Sequence, residues 1–382
     1  MKTVIVNPVL FLLLNLLYIN SFAQISKESL GHWEGKAAMP QDSMQLIINV
    51  SRHRVQYDAP EQGIYASEVT EFNFAQDHFS FTIPGREPIR VEGKITGNQM
   101  IGESKGRLPM TFSLQRTSVI PVFYTEEEVT YKSGDVILSG TLIKPDTKGP
   151  HAAVVMIHGS GNVGRMTRER TRNMALLFVQ SGIAALIYDR RGNGKSTGEN
   201  DRLLRMETLA KDAAAGAKYL ASRRDLIKDK IGFYGLSQGG WVAPYASELF
   251  GNTGFVVTIS AAGVTPDEQD AFVQNKPVQH EGSKEEIIPG FSAFDPLPYW
   301  AKVKAPVLAI WGEKDLIIPV EKSKQLIGEA LVKGNNPHYT ANVFADANHE
   351  IKIGNGPLAK LAPGSRECII QWVRGNVLLM NK

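Results

Sequence analysis

The sequence predicts an α/β fold with a doubly wound, mostly parallel sheet, preceded by a smaller all-β domain. From residue 127 onward, apolar runs of strand length, such as 152–157 and 184–188, alternate with stretches of helical periodicity such as 203–222. The apolar runs are nearly continuous, as expected for strands that helices cover on both faces. Residues 24–117 instead alternate apolar and polar positions between Gly and Asn, which is typical of an antiparallel meander, sandwich or small barrel.

Chain length supports the same division, because one hydrophobic core rarely grows beyond about 250 to 300 residues. The chain has 382 residues. We predict an all-β domain at 24–117, an extended linker at 118–126 and an α/β domain at 127–382. Within the α/β domain, residues 264–300 are rich in Gly, Pro and charged residues and are predicted to form a short cap segment.

The first 23 residues have the features of a secretory signal peptide. Lys2 precedes an apolar run at 9–17, and Ser21 and Ala23 are small residues that suit cleavage before Gln24. The apolar run is too short for a comfortable transmembrane helix. We therefore expect an exported protein, periplasmic or secreted, without stable membrane insertion once the leader is removed.

Composition excludes several classes of function. Basic and acidic residues are interspersed and give a net charge of only +3, so nothing indicates a nucleic-acid partner. The only cysteine is Cys368, which lies in an apolar helical pattern and is expected to be a buried thiol without an internal disulfide. Neither a His-Glu-x-x-His motif nor paired cysteines occur, so we predict neither a metal nor another cofactor.

The most informative motif is Gly-Leu-Ser-Gln-Gly at 235–239, which follows an apolar run at 230–234. A serine that stands exposed on a sharp strand-to-helix turn adopts a strained backbone, and small residues on either side let the strand and the helix approach closely. Gly235 and Gly239 occupy those positions. Ser237 is therefore the candidate nucleophile, and an ordinary strand-turn-helix connection is the alternative interpretation.

Asp315 and His349 are the candidate acid and base, because each follows a later apolar run of strand length. A neutral imidazole can take the proton of Ser237, and a buried carboxylate holds that imidazole in the required tautomer. A helix is expected near Pro319, so capping of that helix is the alternative role for Asp315. Asp346 is a competing carboxylate, but it lies too close to His349 in the same loop to reach around it comfortably.

The oxyanion of acyl transfer needs donors that are in place before the reaction. The turn supplies the backbone N–H of Gln238. A second backbone N–H, that of Ser160 or of a neighbour, comes from the loop His-Gly-Ser-Gly at 158–161, which follows the apolar run 152–157. His158 itself is expected to be a structural hydrogen-bonding residue.

Four blocks in this order resemble the α/β-hydrolase superfamily: the loop at 158–161, Tyr-Asp-Arg-Arg-Gly-Asn-Gly-Lys-Ser at 188–196, the serine motif, and Trp-Gly-Glu-Lys-Asp at 311–315 with His349. The order nucleophile, acid, histidine is that of this superfamily. Within this superfamily, the chain resembles bacterial carboxylesterases related to the acylaminoacyl-peptidase and dienelactone-hydrolase branches. The likeness runs from residue 127 to the C-terminus and implies an α/β-hydrolase fold there.

We therefore predict a serine hydrolase that cleaves small-molecule carboxylic esters through an acyl-enzyme, with Ser237, His349 and Asp315 as its triad. A peptidase or amidase of the acylaminoacyl type would use the same residues and is the first alternative. The second is a catalytically silent protein that binds a lipid or glycan through the β-rich domain.

Two segments near the site need separate interpretation. Block 191–196 imitates a phosphate-binding loop, but Asp189 replaces the glycine that such a loop requires, so we predict a structural loop rather than a nucleotide site.

Relatives of this kind often carry a long helical cap where this chain has only 264–300. The short segment predicts an open cleft that the all-β domain is a candidate to roof. The aromatic residues that either line this cleft or pack internally are Phe291, Phe294, Tyr299 and Trp300.

Overall fold

The computed structural model describes residues 25–379 except 41, 76, 86, 106–108, 162–163, 166–168, 200–204, 276–293 and 355–358. The described residues form two compact units, one within Met1–Tyr57 and Glu68–Pro121 and the other within Asp58–Ser67 and Val122–Lys382. The predicted leader at 1–23 lies outside the described residues, as do residues 276–293 of the predicted cap and Phe291 within them.

The N-terminal part of the chain folds into one nine-stranded sheet, which confirms the all-β prediction. Its strands are β1 (Gly31–Met39), β2 (Asp42–Val50), β3 (Val55–Ala59), β4 (Ile64–Glu68), β5 (Thr70–Ala75), β6 (His78–Ile83), β7 (Ile89–Thr96), β8 (Gln99–Ser104) and β9 (Met110–Thr117). The order is β4-β3-β2-β1-β9-β8-β7-β6-β5. Strands that follow one another in the chain are adjacent in the sheet, except β4 and β5, which form its two edges. β1 pairs with β9, so the sheet resembles a barrel that is open between β4 and β5.

Alternating side chains explain this sheet. In β7, Val91 and Ile95 are buried while Arg90 and Glu92 are exposed. Stacked and tilted phenylalanine rings fill the buried side, with centroids 5.4–6.3 Å apart. These rings belong to Phe74, Phe79, Phe81 and Phe112. Aromatic pairs at this spacing stabilise a core beyond the area that they bury.

The second unit contains an eight-stranded sheet with helices, as the sequence predicts for an α/β domain. Its strands are β10 (Tyr124–Ser133), β11 (Val136–Pro145), β12 (His151–Ile157), β13 (Ile183–Tyr188), β14 (Leu226–Leu236), β15 (Phe255–Ile259), β16 (Val307–Gly312) and β17 (Tyr339–Phe344), and a small hairpin adds β18 (Lys352–Ile353) and β19 (Lys360–Leu361). The order of the large sheet is β10-β11-β13-β12-β14-β15-β16-β17. β11 runs antiparallel to both of its neighbours, β10 and β13. The strands β12 to β17 are all parallel to one another.

Helices cover both faces of this sheet. The described α-helices are α1 (Glu169–Gln180), α2 (Met206–Ser222), α3 (Gln238–Phe250), α4 (Pro266–Gln274), α5 (Leu297–Trp300), α6 (Val320–Lys333) and α7 (Ser365–Val373). Successive residues of β12 enter different cores: Ala153 and Val155 pack with α2, α3 and α6, whereas Val154 and Met156 pack with α1 and α7. This double coverage explains why the strands are apolar at nearly every position. No helix among the described residues is long and apolar enough to span a membrane.

Parallel strands place their carboxyl ends at one edge of a sheet, which is where ligands bind in open α/β folds. β12, β14, β15, β16 and β17 therefore deliver the loops that follow them to a common edge. The candidate residues Ser160, Ser237, Asp315 and His349 all lie in these loops.

Residues 58–67 comprise the end of β3, the turn that follows it and most of β4, and they belong to the second unit. The carboxylate oxygens of Asp58 accept hydrogen bonds from Gln180 Nε2, at 3.0 and 3.1 Å. Tyr65 is buried in the apolar cluster that also contains side chains of α1 and α7. The local sequence pattern does not signal this contact, because Gln180 lies 122 residues away from Asp58.

An ionic cluster connects the first two strands of the large sheet with the end of α2. Arg223 donates to both carboxylate oxygens of Glu127 at 2.8 Å and to both of Asp225 at 2.9 Å. Lys144 donates to Asp225 at 2.6 Å. The hydrogen bonds from Arg223 hold the pKa values of Glu127 and Asp225 below their ordinary range.

We expect acid to weaken the protein through this cluster. Because both carboxyl pKa values are lower in the folded than in the unfolded chain, the stabilisation is complete above the unfolded pKa of about 4 and is lost as the pH falls through the folded values. Arg223→Gln should therefore lower the melting temperature at pH 7 and flatten its decline between pH 5 and pH 3, measured by circular dichroism. Arg224→Gln, which changes an exposed neighbour, should behave as wild type. If the melting temperatures of Arg223→Gln and wild type fall equally steeply between pH 5 and pH 3, the prediction is contradicted.

Candidate active site

Ser237 lies on a strained turn between strand and helix. β14 ends at Leu236, α3 begins at Gln238, and Ser237 between them has φ 53° and ψ −116°. A positive φ is uncommon for a residue with a side chain and persists where the surrounding structure enforces it. This is the backbone geometry of a nucleophile elbow, in which the serine stands out at the edge of the sheet.

Two glycines make the turn possible. A Cβ atom at Gly235 would collide with the carbonyl group of Gly239, whose carbon would be only 2.5 Å away. A Cβ atom at Gly239 would lie 2.7 Å from the carbonyl oxygen of Ile157 and 3.0 Å from that of His158. The first turn of α3 therefore touches both its own strand and the end of β12, which brings Gln238 close to the loop that contains Ser160.

Asp315 and His349 form a direct hydrogen bond. His349 Nδ1 lies 2.8 Å from Asp315 Oδ2, and the Asp315 side chain is fully buried while the imidazole is 18% exposed. The other carboxylate oxygen of Asp315 accepts from the backbone N–H groups of Ile317 at 2.8 Å and Ile318 at 3.0 Å. Because a carboxylate only accepts hydrogen bonds, Nδ1 donates the proton and Nε2 is left as an acceptor.

Ser260 connects the serine turn with the histidine loop, and the sequence analysis missed it. The N–H of Ser237 donates to the carbonyl oxygen of Ile259 at 2.9 Å. The next residue, Ser260, is fully buried and donates its hydroxyl to the carbonyl oxygen of His349 at 2.9 Å. Two consecutive residues at the end of β15 thus hold the main chains of both Ser237 and His349. The sequence signal for this role is weak, because a serine after a strand is common.

The predicted oxyanion donors follow the neighbouring strands β12 and β14. Gln238 is buried as the first residue of α3, and Ser160 is exposed in the loop that follows β12. The imidazole Nε2 of His158 lies 2.6 Å from the carbonyl oxygen of Tyr188. His158 therefore fastens the start of this loop to the neighbouring strand, in keeping with the structural role expected for it.

The loop that imitates a phosphate-binding motif folds around a carboxylate of the chain itself. Asp189 is buried and accepts hydrogen bonds from the N–H of Arg165 at 2.6 Å, the N–H of Lys195 at 3.0 Å and the guanidinium of Arg165 at 2.8 Å. A side chain at Gly194 would collide with this carboxylate. The backbone N–H of Lys195 in this loop thus already binds an anion.

Three of the four aromatic residues expected either to line the cleft or to pack internally are described, and all three contact other side chains of the second unit. Trp300 is fully buried in the core with α3 and α6. Tyr299 stacks on Tyr245 of α3 with ring centroids 4.0 Å apart, and Phe294 stacks on Tyr299 at 5.5 Å. Trp300 is therefore a core residue, whereas Phe294, Tyr299 and Tyr245 form a half-buried aromatic stack. Asp346, the competing carboxylate, is exposed. Among the described residues, no group of three or more His, Cys, Asp or Glu side chains could hold a metal ion.

Comparison with known families agrees with this geometry. The sequence profile of the prolyl oligopeptidase family (Peptidase_S9) matches residues 169–361, which is just over half of the chain. The chain belongs to the prolyl oligopeptidase family. This membership confirms the resemblance to the α/β-hydrolase superfamily.

Individual relatives of this prolyl oligopeptidase family member are distant. The quorum-quenching protein AidA of Acinetobacter baumannii is 33% identical over 113 residues, which cover 30% of this chain and 36% of that protein. A polyketide transferase of Penicillium crustosum is 33% identical over 96 residues, or 25% of this chain and 31% of its own. The chain thus spans about a third of the length of these curated relatives. The acylaminoacyl peptidase structure of Pyrococcus horikoshii matches with a TM-score of 0.50 at 14% identity, covers 89% of this chain and 62% of its own, and shows the shared fold.

A methyl group at position 235 should break the serine turn of this family member. We expect Gly235→Ala to lower the free energy of unfolding by about 3 kcal/mol, because the added carbon meets rigid backbone rather than a movable side chain. Urea denaturation measures this change. Gly375→Ala is the matched control, since its Cβ would meet no heavy atom within 4 Å. A Gly235→Ala protein as stable as this control would contradict the close approach at the turn.

Proposed function

We propose that the protein is an exported serine hydrolase that cleaves carboxylic esters of small molecules through an acyl-enzyme. The observation that carries the proposal is the 2.8 Å hydrogen bond between His349 and the buried Asp315, at the same sheet edge as the strained Ser237. An imidazole that a buried carboxylate orients toward a serine hydroxyl is the arrangement that activates this nucleophile.

In the first half of the reaction, Ser237 Oγ attacks the ester carbonyl carbon and its proton passes to His349 Nε2. Asp315 stabilises the imidazolium that forms and keeps the ring from turning, because its second oxygen is held by two backbone N–H groups. The C–O bond to the leaving alcohol then breaks, and the alcohol takes the proton from His349.

The negative charge that develops on the carbonyl oxygen is stabilised by the backbone N–H groups of Gln238 and Ser160. Each such donor is worth about 3 kcal/mol of transition-state stabilisation in other serine hydrolases. In the second half of the reaction, His349 takes a proton from water, the resulting nucleophile attacks the acyl carbon, and Ser237 is released as the alcohol.

Amide cleavage is the second candidate, and membership of the prolyl oligopeptidase family favours it. The same triad serves both reactions. The difference lies in the leaving group, because an amine must be protonated by His349 as it departs whereas an activated alcohol leaves readily.

Replacement of the serine tests the proposal directly. Ser237→Ala should reduce hydrolysis of p-nitrophenyl acetate by at least about 10⁴-fold, with unchanged circular dichroism, because the nucleophile is lost. Ser222→Ala, at the exposed end of α2, is the control and should retain wild-type rates. Activity of Ser237→Ala at the wild-type level would overturn the assignment of the nucleophile. Turnover of aminoacyl p-nitroanilides but not of esters would favour the peptidase, and no turnover of either would favour a binding protein.

Export rests on the leader at 1–23 and has its own test. When the full chain is expressed in a Gram-negative host, the protein recovered from the periplasm or the medium should have the mass of a chain that begins at Gln24. Cleavage is expected there because a small residue precedes the cleavage site. Ala23→Glu should block processing and leave the longer chain. Recovery of wild type as an unprocessed protein in the cytoplasm would contradict export.

A further inference from the structure

The guanidinium of Arg190 is buried behind the candidate oxyanion hole. Arg190 is 6% exposed and follows β13 in the loop next to β12. Its Nη2 donates to the carbonyl oxygen of Gly159 at 2.6 Å and to Gln238 Oε1 at 2.8 Å, and lies 3.4 Å from the carbonyl oxygen of His158. Its Nη1 donates to the carbonyl oxygen of Gly161 at 2.9 Å. One cation thus holds three carbonyl groups of one loop and a side chain of the other.

The bond to Gly159 determines where the N–H of Ser160 points. These two groups belong to the same peptide unit, which is planar and trans, so its C=O and N–H point in opposite directions. A donor that fixes the carbonyl oxygen on one side therefore fixes the N–H on the other. Through Gln238, the same guanidinium is connected to the residue whose backbone supplies the second predicted donor.

We propose that Arg190 is a positioning residue for the oxyanion hole, which aims the Ser160 N–H and couples the loop 158–161 to the first residue of α3. The proposal rests on the proposed serine-hydrolase function. Arg190 does not touch the substrate in this role, and it acts through the two peptide groups that do.

The charge of Arg190 adds to its geometric effect. A charge-assisted hydrogen bond to a carbonyl oxygen polarises the peptide, and chains of such bonds strengthen one another in a buried environment. The Ser160 N–H therefore becomes a better donor to the oxyanion. This benefit appears mainly in the transition state, where the substrate oxygen carries charge, and it should change kcat more than KM.

Arg191 provides a matched control one residue away. Its guanidinium turns in another direction and donates from Nε to Asp212 of α2 at 2.8 Å and from Nη2 to the other carboxylate oxygen at 2.5 Å. Arg191 thus fastens the same loop to α2 rather than to the loop 158–161. The double variant Arg191→Gln/Asp212→Asn removes that ion pair without leaving a buried charge unpaired.

The experiment compares kcat, KM and inhibition by a trifluoromethyl ketone, which forms a tetrahedral oxyanion on the serine. Arg190→Gln should lower kcat for p-nitrophenyl acetate by about 10- to 100-fold, less than or similar to loss of a donor itself, and leave KM within about twofold. The inhibition constant of the ketone should rise by a similar factor, because it reports binding of the same oxyanion. Arg190→Lys keeps the charge but not the planar set of N–H donors of the guanidinium, and it should recover part of the lost kcat and inhibitor affinity.

The control and a second variant separate positioning from mere stability. Arg191→Gln/Asp212→Asn should lower the melting temperature while kcat and the inhibition constant of the folded protein stay near wild type.

Should Arg190→Gln fail to fold, Gln238→Ala tests the same role, because it keeps the backbone donor and removes one acceptor of Arg190. This variant should lower kcat and ketone affinity in parallel. Unchanged kcat and ketone affinity in the folded Arg190 or Gln238 variants, while Ser237→Ala is inactive, would overturn the role of Arg190 alone. Full activity of Ser237→Ala would instead overturn the proposed function.

Discussion

The absence of side chains at positions 235 and 239 is the constraint on which the rest of the site depends. The chain turns from β14 into α3 within one residue, and Ser237 takes a positive φ at that point. Without the close contact between these two glycines, α3 would start farther from the sheet, and its first residue would not reach the end of β12. The strain at Ser237 is tolerated because apolar strands and helices on both sides fix the backbone around it.

Buried polar side chains at the carboxyl edge of the sheet hold loops rather than contact solvent. Ser260 holds the main chain of His349, Asp189 binds the backbone N–H of Lys195 in its own loop and that of Arg165 in the loop after β12, and Arg190 holds carbonyl groups of the loop after β12. Each buried polar group is expensive unless its hydrogen bonds are made, so each enforces one loop conformation. The loops can therefore be irregular and still be well defined, as a preorganised site requires.

Local signals explain what the sequence could predict. Periodicity of apolar residues predicted the parallel sheet, its covered faces and the all-β part, and the spacing of two glycines around Ser237 predicted the strand-to-helix turn. Arg190 and Ser260 escaped prediction because their partners lie 29 to 89 residues away, and no local pattern records such contacts. The contact between Asp58 and Gln180 within the second unit escaped for the same reason. The catalytic roles of Ser237, His349 and Asp315 stay a prediction, although the histidine and the aspartate are in contact.

Charges are arranged on the two sides of Ser237 in a way that matches the proposed reaction. On one side, the Asp315 carboxylate acts on a neutral imidazole that becomes a cation when it takes the serine proton. On the other, the Arg190 guanidinium acts on a neutral peptide whose N–H the proposal assigns to the oxygen that becomes an anion. Both charges are buried and fixed before substrate arrives, so they need not reorganise as the reaction separates charge. A negative group behind the base and a positive group behind the oxyanion donor therefore stabilise the same transition state from opposite ends.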